Sequence, residues 1–534
     1  MNRMIKYGLL VTMFFMASCG DFLEPKSQSE YVPKLVKSLD ELLLGEVYMG
    51  PGYSDGQFYG VLGLFDDDVA IRPFSTRRPG SRSTLLFDDD VAIRPDWKAN
   101  ASEEEKINKI RMAYTWAKNM KDEFSGYNTY GEVYKKILGC NSVLDYIDEV
   151  QGSEEERNRV MAQALAFRGY FYFHLINLYG KPYSVGKDSP GVPLKLTAEM
   201  GTSGMKRNTV EEVYTRIIQD LLEAERLFKT LPEGEWSLQN NRINLPCVQL
   251  LISRVYLYME NWAQALAYGE KVITDYGYEV LDLNGEPLPN EKMNPTYRSY
   301  YTWENPEIIF LFGNQGDVLE LPLTRVYYSG DKGFTSYIPV VASDNLIRTY
   351  DLTDLRRDHY LMWEVIDYGY TPRYKKAVSK FEAVSNYNIE VSWNGGKWGV
   401  AFKVTEAYLN AAEGAAMLYK ETGNGEFQMK AQALLDKLRV KRFSAAAFVS
   451  TDISAADELI AFVRDERRRE LCFENHRWFD LRRYGMEEIK HVWYDASGNA
   501  SEYVLEKNDP GFTLQLPNEA FEYNSGLEQN EPRK

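Results

Sequence analysis

Arginine is concentrated near the C-terminal end of the chain, where RDERRRELCFENHRWFDLRRYG runs from Arg464 to Gly485. Seven arginines in 22 residues could bind phosphate, because a guanidinium group offers paired N–H donors. The segment also holds five acidic residues, and Glu466, Glu470 and Glu474 follow the i, i+4 spacing of one helix face. Carboxylates in these positions would pair with the arginines. The pattern therefore predicts a salt-bridged structural helix and argues against a nucleic-acid-binding one.

Three adjacent aspartates occur twice, inside two identical copies of LFDDDVAIRP that begin 22 residues apart at Leu64 and Leu86. The carboxylates of Asp66–Asp68 or Asp88–Asp90 could bind Ca²⁺ through oxygen, but the alternating ligands and closing glutamate of an EF-hand loop are absent. We therefore favour no metal and no other cofactor. We interpret the repeat as a tandem duplication in a surface loop, with solvated acidic turns that pair with nearby arginines such as Arg72.

The sequence motifs of the common enzyme classes are absent. No HExxH, compact His/Cys cluster, GxSxG, phosphate loop or GxGxxG occurs among the 534 residues. The four cysteines include no CxxC pair, and three of them lie in apolar helical contexts that favour buried free thiols. The chain is therefore predicted not to be an enzyme. Carboxylates are nevertheless common enough that a glycosidase stays open as a less favoured alternative.

Composition favours a binding role for the aromatic residues. The formal net charge is -16, from 62 basic and 78 acidic side chains, which disfavours polyanions as partners. Aromatic residues make up 14% of the chain and include 38 tyrosines. Sugars present apolar C–H faces and many hydroxyls, so flat aromatic side chains with amide, carboxylate or arginine neighbours are suited to bind them.

The elements that would position these residues are mostly helical. Apolar residues at helical spacing predict antiparallel helix pairs, and a break at Glu260–Asn261 separates two helices in a manner similar to tetratricopeptide repeats. Such hairpins bury their apolar faces only by stacking on one another. The predicted helices are Ser38–Tyr48 with Ser38 as N-cap, Tyr130–Tyr146, Glu154–Tyr179, Val210–Leu231, Pro246–Tyr276, Lys403–Tyr419, Gly425–Arg442 and Ala455–Glu474.

Two long stretches have a different composition. Residues 49–100 and 277–400 are rich in Gly, Pro, Asn, Asp and Tyr, and Asn284-Gly285, Asn394-Gly395 and Ser497-Gly498 are typical of hairpin turns. The sequence therefore predicts a mainly α protein in one body. A helical scaffold would comprise about residues 34–276 and 401–485, and an irregular lobe of loops and hairpins would carry the binding function.

The N-terminus predicts export. Two basic residues precede an apolar run from Tyr7 to Ser18, which is shorter than the roughly 20 residues of a membrane-spanning helix. Ala17-Ser18-Cys19 is similar to a bacterial lipobox, although Met16 replaces the usual leucine. We expect residues 1–18 to be removed and Cys19 to carry acyl chains that hold residues 19–534 on a membrane. Export also argues against DNA as a partner.

Several segments together resemble the SusD/RagB family. The strongest is Glu466–Arg483, which is similar to that family's C-terminal signature ERRxELxFExxRWFDLRR. Further similar segments follow in the family's order: Asn141–Ile147, Ala164–Tyr183, Gly191–Leu196, Arg207–Phe228, Asn305–Phe310 and Val404–Leu418. The resemblance covers essentially the whole chain after the signal sequence.

This resemblance implies a lipid-anchored outer-membrane protein of Bacteroidetes that faces the medium. Such proteins combine tetratricopeptide-like helices with an irregular lobe. They bind a nutrient, usually an oligosaccharide, and cover a SusC-like, TonB-dependent barrel that imports it. They are not enzymes.

The resemblance also points to candidate ligand-binding residues. Starch-binding relatives carry a Trp-x-x-Asn pair in the region where this chain has Trp97 and Asn100, flanked by Arg94 and Asp96. The family draws further aromatic contacts from the segment after Asn305–Phe310. The candidates there are Tyr327, Tyr328, Phe334 and Tyr337, while Trp393 and Trp398 are alternatives. Trp478 is assigned to the core.

Four functions stay open at this point. The leading hypothesis is a glycan-binding surface lipoprotein of an import complex. The same architecture could bind peptides or another nutrient instead. A glycosidase and a purely structural surface protein are the remaining alternatives.

Overall fold

The computed structural model describes most of the chain, with gaps in both long irregular stretches and at the N-terminus. The described residues are 33–50, 62–71, 74–75, 91–92, 100–118, 129–199, 201, 204–232, 234–235, 240–286, 300–314, 326–330, 333–337, 340–361, 363–367, 372–376, 398–495 and 499–533.

Helices dominate the described residues. They are α1 (Val36–Leu42), α2 (Ala101–Tyr114), α3 (Thr129–Tyr146), α4 (Glu154–Tyr179), α5 (Tyr183–Gly186), α6 (Val210–Phe228), α7 (Leu245–Tyr258), α8 (Trp262–Thr274), α9 (Asp344–Ile347), α10 (Arg356–His359), α11 (Val404–Thr422), α12 (Gly425–Arg439), α13 (Ala456–Leu471), α14 (Arg477–Arg483) and α15 (Asn518–Tyr523). A π-helical turn at Leu43–Val47 continues α1, and single 3₁₀ turns lie at Leu62–Leu64, Leu283–Gly285 and Pro510–Phe512.

The strands are short and form two-stranded pairs. They are β1 (Val69–Ile71), β2 (Phe74–Ser75), β3 (Val91–Ala92), β4 (Ile308–Asn314), β5 (Val326–Gly330), β6 (Gly333–Tyr337), β7 (Val340–Ala342), β8 (Trp363–Asp367), β9 (Pro372–Lys376), β10 (Trp398–Lys403), β11 (Ile489–Tyr494) and β12 (Ala500–Leu505). The antiparallel pairs are β1–β7, β4–β10, β5–β6, β8–β9 and β11–β12, and β2–β3 is parallel.

The long helices form one continuous row of neighbours. Helix α3 packs on α4, then α6, α7, α8 and α11 follow, and α11 also contacts α12 and α13. Local signals in the sequence set the helix ends. Ser153 and Thr209 form capping boxes at the starts of α4 and α6, and Asn261 caps α8 at the break after α7. Gly423 ends α11 in the left-handed conformation, at φ 68°.

The mainly α fold predicted from the sequence is confirmed, and the predicted helix pairs are present with small shifts at their ends. The first helix differs. It begins at Val36 and has no side-chain cap, whereas Ser38 was predicted as its N-cap. Burial of Val36 and a hydrogen bond from its backbone N–H to the Gln151 carbonyl, at 3.0 Å, fix the earlier start.

Two of the predicted turns have different outcomes. Asn284-Gly285 lies in a 3₁₀ turn and not in a β-hairpin, because the Asp282 side chain accepts hydrogen bonds from Asn284 and closes the turn locally. Ser497-Gly498 lies outside the described residues, but strands β11 and β12 on either side of it pair as a hairpin requires. Asn394-Gly395 also lies outside the described residues.

Close contact between α8 and α11 depends on two glycines. A Cβ atom at Gly414 would lie 2.8 Å from the Trp262 carbonyl oxygen, and one at Gly269 would lie 2.9 Å from the Ala407 carbonyl oxygen. We expect Gly414→Ala to lower the free energy of unfolding by about 1–3 kcal/mol, because backbone cannot yield as a flexible side chain does. Thermal unfolding measures this effect.

Gly425→Ala is the matched control for that substitution. Gly425 opens α12, and the nearest atom to an added Cβ is the end of the Gln428 side chain at 4.0 Å. We expect an unchanged or slightly higher melting temperature for this variant, since alanine is the better helix former. Equal effects of the two substitutions would contradict the close approach of α8 and α11.

Candidate functional site

Asn100 is the one residue of the predicted Trp97–Asn100 pair that lies within the described part of the chain. It caps α2, and its side-chain oxygen accepts a hydrogen bond from the Glu103 backbone N–H at 3.0 Å. The residue is exposed. Arg94, Asp96 and Trp97 lie outside the described residues. The capping role fixes the Asn100 side chain at the start of the helix, and its amide N–H groups are not needed for the cap.

The predicted aromatic segment forms a β-hairpin. Tyr327 and Tyr328 lie on β5, where they pair with Ser336 and Thr335 of β6. Phe334 and Tyr337 lie on β6 itself. The backbone of β5 lies next to α2, so the structure brings the hairpin beside the helix that Asn100 begins. Two elements that are far apart in sequence, each associated with candidate residues, are therefore in contact.

Of the two tryptophans named as alternatives, Trp398 is enclosed by the protein. Trp398 lies in β10, is buried, and packs edge-on against Trp303 with ring centroids 6.3 Å apart. Trp393 lies outside the described residues. Trp478 is fully buried and stacks on Phe512 at 5.3 Å, as predicted for a core residue. A side chain enclosed in this way presents no free face to a sugar.

The first aspartate triplet is buried and ion-paired, which corrects the interpretation of it as a solvated turn. Asp68 is 1% exposed and accepts a hydrogen bond from Arg468 Nε at 2.7 Å. Asp67 accepts two from Arg477, at 2.7 and 3.0 Å. These partners are arginines of the C-terminal segment. Arg72 lies outside the described residues. The second triplet, Asp88–Asp90, lies outside the described residues.

Charge compensation differs among the three carboxyl groups of this turn. Burial raises the pKa of Asp67, but the guanidinium groups of Arg477 and Arg468 outweigh burial and lower this pKa to about 2. Burial and the neighbouring Asp68 carboxylate hold the pKa of Asp66 well above its ordinary value. Burial also raises the pKa of Asp68, although Arg468 opposes this effect. Asp67 and Asp68 are thus already engaged by arginine, and Asp66 is protonated more easily than an exposed aspartate. In the described part of the chain, no group of three or more His, Cys, Asp or Glu side chains could hold a metal ion.

The remaining arginines of the opening segment are also paired. Arg467 donates to Asp480 at 2.8 Å, and Arg483 donates to both oxygens of Glu413, at 2.8 and 2.6 Å. Burial raises the pKa of Glu413, but Arg483 and Arg464 outweigh it and lower the pKa to about 2. Six of the seven arginines thus contact carboxylates inside the protein. The seventh, Arg482, is buried and donates to backbone carbonyls, those of Phe512, Asn177 and Gly180.

A fully buried ion cluster joins the irregular segments to the helices. Arg442 donates to Glu470 at 2.9 Å and to Glu307, which precedes β4, at 2.5 Å. Arg356 of α10 contacts Glu470 at 3.1 Å and Glu466 at 2.8 Å. Both arginines and both α13 glutamates have 0% exposed side chains. The cluster thus fixes β4 and α10 against the end of α12 and against α13.

Sequence reasoning missed the partners of this arginine segment, although one signal was available. The segment holds seven arginines but five acidic residues, so at least two arginines required partners elsewhere. Arg468 and Arg477 are two of them, and their partners lie in the aspartate triplet. Counting charges within the segment would have indicated that such partners exist but not which residues they are.

Models of two related protein families match this chain. Residues 83–257 match a SusD-like family described as "Starch-binding associating with outer membrane", and residues 365–532 match the SusD family itself. The chain belongs to the SusD/RagB family. The resemblance inferred from the C-terminal signature is therefore confirmed, and the second match contains the whole arginine segment.

Individual relatives of this SusD-family chain are distant but cover most of it. SusD-like protein P25 of Formosa agariphila is 21% identical over an alignment that covers 96% of this chain and 97% of the relative. SusD-like protein P2 of the same organism is 22% identical and covers 75% of this chain and 79% of the relative.

Solved structures share the fold. A putative sugar binding protein from Bacteroides vulgatus superposes with a TM-score of 0.66 at 22% identity, covering 95% of this chain and 100% of the other. A laminarin binding SusD-like protein superposes with a TM-score of 0.58 at 18% identity, covering 93% and 99%. At these identities the likeness establishes the fold alone.

Proposed function

We propose that this protein binds an oligosaccharide or polysaccharide at the cell surface and delivers it to a SusC-like, TonB-dependent barrel in the outer membrane. The family match carries the proposal, because it covers both the helical region and the C-terminal signature. Structural neighbours described as sugar binding or laminarin binding support a carbohydrate as the nutrient. Binding without catalysis agrees with the absence of enzyme motifs from the sequence.

The ligand would bind where α2 meets the β5–β6 hairpin. The start of α2 carries Asn100, whose amide can donate to a sugar hydroxyl, and Trp97 precedes it by three residues. Tyrosines on β5 lie on the element next to this helix. A platform, an amide and further aromatic residues are the groups that oligosaccharide binding requires. Arg94, Asp96, Phe334 and Tyr337 complete the set of proposed contacts.

Attachment to the membrane would come from lipid on Cys19. The described residues include no helix that is long and apolar enough to cross a membrane. The described part of the chain begins at residue 33, 14 positions after Cys19. Acyl chains embedded in the outer membrane would keep the protein beside its proposed barrel.

Electrophoresis of residues 20–534 through gels that contain a panel of polysaccharides tests the proposal. We expect retardation by at least one polysaccharide, and Trp97→Ala should weaken binding about tenfold because the stacking face is lost. Lys98→Ala is the matched control, since it changes the residue next to Trp97 without removing an aromatic ring. Retardation by no glycan, together with saturable binding of a peptide, would contradict the carbohydrate proposal.

A second readout separates binding from catalysis. Incubation of the protein with the retarding polysaccharide should release no new reducing ends. Their appearance would contradict a purely binding function and would restore the glycosidase alternative.

A further inference from the structure

The first copy of LFDDDVAIRP fills a defined socket in the body of the protein. We define the socket as strand β7 with Ser343, the arginines Arg468 and Arg477, and the side chains of His491 and Trp478. The proposed function assigns this socket no role.

Polar contacts in the socket involve only residues that both copies share. Asp67 and Asp68 pair with Arg477 and Arg468. Ser343 donates from its backbone N–H to the Asp68 carbonyl at 2.8 Å and from its hydroxyl to the Asp67 carbonyl at 2.6 Å. Strand β1 then pairs with β7 through Val69–Ala342, Ala70–Val341 and Ile71–Val340.

The apolar side chains that the first copy buries in the socket also belong to the repeated decapeptide. Leu64, Phe65, Val69 and Ile71 are each at most 4% exposed. The Phe65 ring lies 5.4 Å from that of Trp478, and the next carbonyl, that of Asp66, is 2.8 Å from His491 Nε2. These contacts lie between Leu64 and Ile71. The corresponding residues of the second copy, Leu86–Ile93, are identical.

The second copy already lies close to the end of the first. The backbone of Val91–Ala92, inside the second copy, pairs in parallel with Phe74–Ser75, which directly follow the first. Neighbouring strands are about 4.8 Å apart, so the second copy is held a few residues from the socket.

We propose that the socket binds either copy of the decapeptide, so that the chain can exchange one for the other. In the exchanged arrangement Leu86–Ile93 would occupy the socket, and residues 64–85 would form a loop before it. The connection to Asn100 would shorten from residues 74–99 to residues 96–99, which can span about 17 Å. Because both copies make the same contacts, the socket itself supplies no preference between them.

Residues before the repeat give the first copy its advantage. Leu62, two residues before it, is 2% exposed, whereas Thr84 holds the same place before the second copy. Exchange also places Trp97 two residues after the docked decapeptide. Any effect on ligand binding through Trp97 rests on the proposed function, but the exchange itself does not.

Alanine substitutions of the arginine-pairing aspartates in each copy test whether either copy can occupy the socket. We expect Asp67→Ala with Asp68→Ala to lower the melting temperature by less than about 2 °C, because the second copy replaces the first. Asp89→Ala with Asp90→Ala, the matched control, should have no effect. All four substitutions together should lower it by roughly 5 °C, since both arginines then lose their partners. Equal losses in the first and the fourfold variants would overturn the proposal.

Disulfide trapping gives a direct readout in a chain whose repeats keep their aspartates. Val69→Cys with Ala342→Cys should cross-link in the observed arrangement, because the two residues are cross-strand partners. Val91→Cys with Ala342→Cys should cross-link only after exchange. The native thiols Cys140, Cys247 and Cys472 are buried and do not compete. The proposal is overturned if position 91 does not cross-link to position 342 under oxidation that fully cross-links position 69 to it. This test stands even if the fourfold aspartate variant does not fold.

Deletion of residues 74–95 tests whether residues 96–99 are long enough to join the socket to α2. The product has one decapeptide followed directly by Asp96, which is the connection that the exchanged arrangement needs. We expect this chain to fold with a melting temperature close to that of the parent. Failure to fold would overturn the proposal, because four residues would then be too short to join the socket to α2.

Discussion

Glu470→Ala is expected to lower the free energy of unfolding by about 3–5 kcal/mol. The carboxylate of Glu470 accepts from Arg442 at 2.9 Å and from Arg356 at 3.1 Å, and all three side chains are fully buried. Removing it leaves two guanidinium groups without their main shared partner in a place that water does not reach. Urea unfolding at pH 7, followed by circular dichroism, measures the difference.

Glu270→Ala is the control for this prediction. Glu270 also forms an ion pair, with Lys430 at 2.7 Å, but its side chain is 37% exposed and that of Lys430 is 42% exposed. Solvent screens such a pair, so its loss should cost less than about 1 kcal/mol. Similar losses from the two substitutions would show that burial does not determine the contribution of Glu470.

The buried ion cluster holds irregular segments of the chain against the helices. Glu307 precedes β4, and Arg356 belongs to α10, so both lie in the part of the chain between α8 and α11. Their partners are Arg442, three residues after α12, and Glu470, in the last turn of α13. Ion pairs hold these irregular segments where long apolar helices are absent. Damage to the cluster should therefore loosen the lobe before it unfolds the helical row.

The sequence predicted the long helices well because their determinants are local. Ser153 and Glu156 form the capping box of α4, and Asn261 starts α8 after the break. These signals lie within a few residues of the ends that they set. The start of α1 was wrong by two residues, because the Gln151 carbonyl, more than 100 residues away, fixes it.

Partners that are far apart in sequence were much harder to predict. Asp68 and Arg468 are 400 residues apart, and an aspartate triplet beside Gly and Pro is usually solvated. Only the folded chain shows that the turn enters the body and meets α13. Trp398 failed as an alternative platform for a related reason, because neither flanking residues nor spacing revealed that Trp303 would cover it.

The candidate ligand site was predicted in part. The resemblance supplied Asn100 and the Tyr327–Tyr337 segment, and the structure places α2 beside β5. Trp97, the main proposed platform, lies outside the described residues together with Arg94 and Asp96. Their role stays a prediction that the polysaccharide gels test.

Acid should unfold this protein mainly by protonating the carboxylates that pair with arginine. Burial raises the pKa of Glu466, but Arg356 and Arg469 outweigh it and lower the pKa to about 2, as Arg483 and Arg464 do for Glu413. Both groups have an ordinary pKa of 4.5. Between pH 4.5 and 2 the unfolded chain therefore binds protons that the folded chain does not bind. Their stabilisation is complete above pH 4.5 and is lost as the pH falls toward 2, with about 3 kcal/mol for each group.

Glu413→Gln isolates one of these contributions. At pH 7 the variant should be less stable than the parent by a few kcal/mol, because Arg483 and Arg464 lose a charged partner. The difference should shrink as the pH falls through 4.5 toward 2, since the parent's advantage depends on an ionised Glu413. Urea midpoints at pH 7, 5, 4 and 3 measure it, with Glu154→Gln at an exposed helix start as control. A constant difference between parent and variant down to pH 3 would mean that Glu413 acts through packing and not through its charge.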